Sequence, residues 1–88
     1  MTLPTVTANR FSEREIVADI VRWASVESPS VTPEAVARMY DLAEADLAAA
    51  GATIDRTTAP SGAPVMRAHF PGRRPGPGIL VLGHLDTV

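Results

Sequence analysis

A mixed α/β layer, with helices packed on a sheet, is the architecture this sequence predicts. Three observations predict it. Two apolar stripes recur at helical spacing, each behind a helix-start signal. Two short segments, ATIDRTT (52–58) and VMRAHF (65–70), alternate in polarity across the turn residues PSGAP. Finally, ILVLG (79–83) is apolar without a break, the pattern of a central strand covered on both faces. The order is helix, helix, strand, strand, strand.

The first helix is placed at about 13–25. In FSERE, Ser12 can cap free amides while Glu15 reaches back to the Ser12 amide, and Phe11 can staple onto Ile16. Ile16, Val17, Ile20, Val21 and Ala24 then form one apolar face, with Trp23 near its edge as a ring expected to pack on the sheet. VESPS follows as a loop, because Pro29 drives Ser28 out of helical geometry. The second helix starts at TPEA, with Thr32 as cap and Pro33 at the first helical position. Val36, Met39, Tyr40, Ala43, Leu47 and Ala50 form its buried stripe, and Gly51 supplies a left-handed stop. Asp41, Glu44 and Asp46 spread around its polar side, as on a solvated face rather than in a catalytic cluster. PGRRPGPG (71–78) is a connector, and it lacks the Gly-Lys-Ser/Thr ending of a phosphate loop. Residues 1–10 read as a flexible arm.

The composition excludes several function classes. Eight basic residues, all arginine, stand against ten acidic ones, and a formal charge of −2 gives no electrostatic case for nucleic acid. The pair Arg73 and Arg74 is explained by a solvated turn. No cysteine is present, so any metal must be held by His, Asp or Glu. The N-terminus lacks the apolar core of a signal peptide, and no apolar run approaches the roughly 18–20 residues that cross a membrane. The default location is the cytoplasm.

Chemistry-bearing residues follow the apolar run. His84 and Asp86 stand two apart, so on extended chain their side chains leave the same face. In open α/β sheets, ligands gather beyond the carboxyl ends of strands. A metal-binding histidine commonly gives its second ring N–H to a carboxylate, which fixes tautomer and orientation. The spacing alone is also that of an ordinary turn with an incidental histidine.

ILVLGHLDTV, as a whole string, closely resembles the first metal-binding motif of the zinc-dependent aminoacylase and carboxypeptidase family. That family includes acetylornithine deacetylase, succinyl-diaminopimelate desuccinylase and the glutamate carboxypeptidases, the last of which looks nearest. The resemblance runs from about residue 12, through the VESPS loop and the helix ending LAAAGA, to a hairpin leading into FPG. It implies the N-terminal part of a mixed-sheet metallopeptidase catalytic domain: two helices, a β-hairpin, then a central strand. It implies a two-zinc centre in which metal-bound water attacks an amide carbonyl of a peptide or N-acyl amino acid. By the same resemblance His84 is a zinc ligand, Asp86 is the residue that orients its imidazole, and Gly83 lets the backbone pass close. The family's bridging aspartate, general-base glutamate and second histidine lie downstream of this motif. Residues 1–88 are therefore expected to be an incomplete N-terminal portion, without the dimerisation domain, inactive alone and homodimeric only as the whole enzyme. His69 matches no family ligand and reads as an ordinary strand residue.

A second reading comes from another class: a small non-catalytic module that binds a partner through an exposed sheet edge. A stand-alone metal binder is disfavoured, because one histidine with one orienting carboxylate cannot close a zinc site.

Overall fold

The computed structural model describes residues 5–88 and is a small α/β fold of two helices and a two-stranded antiparallel sheet. Of the arm expected at 1–10, residues 1–4 lie outside the described residues. Residues 5–10 are exposed and include a 3-10 turn at Ala8–Arg10.

Helix α1 spans Glu13–Ala24. Ser12 caps it, its hydroxyl accepting the Glu15 amide at 3.2 Å, and two acidic residues complement the positive end of the helix dipole. Helix α2 spans Pro33–Ala49. Thr32 takes the cap position with extended backbone, yet its carbonyl rather than its side chain receives the first amides, those of Ala35 and Val36 at 3.1 Å each. At the far end, Gly51 takes φ +107, which a side chain would oppose. Ala52 N–H then reaches the Leu47 carbonyl and Gly51 N–H the Ala48 carbonyl, both at 3.0 Å. This pair of bonds is a Schellman stop, and it reverses the chain into the first strand.

Strand β1 (Thr53–Thr58) pairs with β2 (Pro64–His69), with Thr53 opposite His69 and Thr58 opposite Pro64. Pro60, Ser61 and Gly62 close the hairpin. Gly62 sits at φ +89, Gly62 N–H donates to the Ala59 carbonyl and Ala59 N–H to the Ala63 carbonyl, both at 2.8 Å. That is the three-residue loop in which a turn is followed by a left-handed glycine.

Helix α2 packs on both strands, and the core lies there. Ala35, Val36, Met39 and Ala43 are the buried hydrophobic residues among those described, with Ile54, Met66 and Ala68 half-covered on the facing side of the hairpin. Tyr40 fastens the layer: its hydroxyl donates to the Pro64 carbonyl at 3.0 Å, and the Arg56 guanidinium lies 5.7 Å from its ring centroid. Arg56 also pairs with Asp41 at 2.7 Å and approaches Glu44 at 3.9 Å. The expected solvated acidic face of α2 is thus partly engaged with other elements.

Two expectations are corrected. The run Ile79–Gly83 is not a buried central strand. It joins no ladder, and Ile79 to Leu82 are 80–95% exposed. The physical reason is the absence of neighbours: a strand's amides and carbonyls need partners on both edges, and the described residues place none there. The preceding 71–78 connector is exposed throughout. Trp23, second, does not rest on the sheet. Its indole N–H donates to Asp46 of α2 at 2.6 Å, and Arg22 pairs with the same carboxylate. Arg22 and Trp23 hold Asp46 below the usual carboxylate range, the guanidinium contributing more. Helix α1 is joined to α2 by these side-chain tips, while its apolar stripe stays open.

Candidate functional site

Loop 25–32 and the segment 84–87 build the site together. Pro29 forces Ser28 towards extended backbone, and the loop then forms a parallel bridge with the C-terminal segment, Pro29 opposite Thr87. Thr87 N–H donates to the Ser28 carbonyl and Ser30 N–H to the Thr87 carbonyl, each at 2.8 Å. A bridge of this form uses the groups on either side of residue 29, so the missing amide of proline costs nothing. Ser28 is buried, and its hydroxyl donates to the Leu85 carbonyl at 2.7 Å, which satisfies it.

This platform carries the two residues singled out in the sequence. Asp86 Oδ2 accepts the Ser30 hydroxyl at 2.6 Å, and Asp86 Oδ1 lies 3.2 Å from His84 Nδ1. The same Nδ1 is 2.9 Å from the Asp86 carbonyl oxygen. Both partners of Nδ1 are acceptors when the carboxylate is ionised, and the Ser30 hydroxyl, foremost, holds Asp86 below the usual carboxylate range. Nδ1 therefore carries the proton of the neutral ring, leaving the Nε2 lone pair free. The imidazole is 81% exposed, and Nε2 makes no hydrogen bond within the described residues.

A cavity of about 280 Å³ opens beside Asp86, between Pro33, Val36 and Tyr40 of α2 and the hairpin turn Ser61–Pro64. His69 stands exposed at the end of β2 and takes no part in this site. Nε2 of His84 suits a zinc ion as one ligand, but among the described residues no group of three His, Asp or Glu side chains could hold a metal. No helix of the described residues is long and apolar enough to cross a membrane.

Ser28 and Ser30 were legible in sequence only as loop residues. Their signal was the flanking of a proline by two hydroxyls at a spacing of two, which places both on one side of extended chain. What they bond to, 57 and 56 positions away, carries no local mark.

The architecture and site thus define a small α/β fold bearing an oriented imidazole. Comparisons with protein-family models, curated proteins and solved structures find no match to this chain.

Proposed function

We propose that this chain forms the N-terminal part of the catalytic domain of a zinc-dependent metallopeptidase or amidohydrolase, cleaving an amide bond of a peptide or N-acyl amino acid. His84 serves as one metal ligand through Nε2, and Asp86 orients its ring. The single observation that carries the reading is the 3.2 Å approach of Asp86 Oδ1 to His84 Nδ1, with Nε2 left open to solvent. A bound zinc pair would supply an activated water and polarise the scissile carbonyl. This chain's residues would contribute the lone pair and its aim. The further ligands that a two-zinc centre needs would have to be supplied alongside His84 in the complete enzyme.

The test is the reading frame around this sequence. If it encodes further acidic and histidine ligands, the encoded enzyme should hydrolyse N-acyl amino acids or C-terminal glutamate amides in the presence of zinc. Asp86→Asn should then lower its activity about 10–100-fold. The 88-residue chain alone should show no hydrolysis with or without zinc. An unchanged rate in Asp86→Asn would remove the orienting role, and hydrolysis by the 88-residue chain would overturn the shared-site reading.

One observation favours a second reading, a non-catalytic module that binds a partner by strand addition. Ile79 to Leu82 are 80–95% exposed, and each strand of the hairpin has an unpaired outer edge among the described residues.

A further inference from the structure

Two oxygens of Asp86 face His84 Nδ1, the backbone carbonyl at 2.9 Å and the carboxylate Oδ1 at 3.2 Å, and the second is presented from the VESPS loop. We propose that Ser30 is a positioning residue: by holding Oδ2 of Asp86 it presents the charged Oδ1 to His84 Nδ1, and this oxygen, together with the Asp86 carbonyl at 2.9 Å, favours the tautomer whose lone pair is on Nε2. The purpose assigned to that lone pair rests on the metal-ligand reading above, but the tautomer is a property of this chain alone.

Three features carry the inference. A carboxylate on a two-torsion side chain, 42% exposed, has no intrinsic reason to keep one oxygen on a neighbouring ring. The Ser30 hydroxyl removes that freedom at 2.6 Å, a charge-assisted bond. The hydroxyl is also 3.0 Å from the Thr87 carbonyl, but its one proton goes to the nearer and charged partner. Finally, the hydroxyl is placed by bonds that do not need it. The Ser30 amide, the Thr87 amide and the buried Ser28 hydroxyl hold the loop to segment 85–87 on their own. Deleting the Ser30 hydroxyl therefore frees Asp86 while leaving the platform docked.

The experiment is nitrogen-15 spectroscopy of the ring nitrogens in the 88-residue chain, without metal and with the imidazoles neutral. His69, exposed and without a carboxylate partner among the described residues, is the internal reference for a ring whose tautomer is set by water. His84 should report a protonated Nδ1 and an unprotonated Nε2, in contrast to His69. Ser30→Ala should move His84 part of the way to the His69 pattern, since the Asp86 carbonyl still accepts from Nδ1, while the Thr87 amide keeps its protection from exchange, and Ser30→Thr should restore the wild-type pattern. The proposal is overturned if wild-type His84 already matches His69, or if Ser30→Ala leaves the His84 tautomer unchanged. It is equally overturned if the Thr87 amide exchanges freely in wild type or loses its protection in Ser30→Ala, since the hydroxyl would then be mere scaffolding. Failure of zinc-dependent hydrolysis in the encoded enzyme leaves these outcomes intact, so the two readings fall separately.

Discussion

Helices α1 and α2 carry the same kind of apolar stripe and meet opposite fates. In α2, Val36 and Met39 are 5% exposed and Ala43 is 1%. In α1, Ile16, Val17, Ile20 and Val21 are 47–60% exposed, although their spacing is at least as regular. Periodicity announces a face that wants cover. It does not say whether cover is at hand. The hairpin follows α2 directly through the Gly51 reversal and lies down on it, whereas α1 is tied to α2 by Arg22 and Trp23 at Asp46.

The largest effect expected from this contrast is on stability. Met39→Ala removes a buried side chain from the core it forms with Ala35, Val36 and Ala43, and should cost about 2–5 kcal/mol. Ile20→Ala, on the open stripe, should change stability by less than about 1 kcal/mol. Urea denaturation followed by circular dichroism measures both. Equal losses would mean that α1's stripe is covered in solution and would erase the contrast.

That contrast also says what was readable from sequence. The caps, turns and stops are local chemistry, so Ser12, Pro33, Gly51 and the Pro60–Gly62 turn gave both helices and the hairpin to within a residue or two. Burial is not local. ILVLG has the composition of a central strand, but a central strand is defined by neighbours, and none is present among the described residues. The site divides the same way. His84 and Asp86 were visible as a pair two residues apart, whereas Ser28 and Ser30 became part of it only through bonds across more than fifty residues. Asp46 stood among polar residues of a helix face, and nothing nearby in sequence marked it as the acceptor for the single tryptophan.

A smaller effect should appear in acid, at the α1–α2 junction. Asp46 is held below the usual carboxylate range by Arg22 and then Trp23, so its ionised form favours the docked state. A depressed folded value means that this contribution is complete above the unfolded value of about 4 and is lost as the pH falls through the folded one. Asp19, which also pairs with Arg22, stays on α1 and cannot replace the link. Trp23 fluorescence should therefore be flat from pH 7 to about 5 and shift to the red below about 4. Amide exchange in the hairpin should be unaffected over the first part of that shift. Asp46→Asn should flatten the profile, because the amide still accepts from the indole but carries no charge for Arg22. An acid shift that survives in Asp46→Asn would place the junction elsewhere.

The smallest effect should come from the exposed apolar run Ile79–Leu82. A glutamate at Leu80 or Leu82 would be disastrous in a central strand, where an unpaired buried charge costs several kcal/mol. In the structure Leu80 is 80% and Leu82 84% exposed, so Leu80→Glu should move the stability of the 88-residue chain by no more than about 0.5 kcal/mol. Its visible consequence should be colloidal. A charge within an exposed apolar run blocks strand-to-strand association, so the variant should stay monodisperse at concentrations where the wild type self-associates. Sedimentation velocity over a concentration series reads this directly. The pair of outcomes separates a surface that has no cover from one that finds it within the chain: unchanged stability with improved solubility keeps Ile79–Leu82 outside the core built by α2 and the hairpin, and a loss as large as that of Met39→Ala would put it inside.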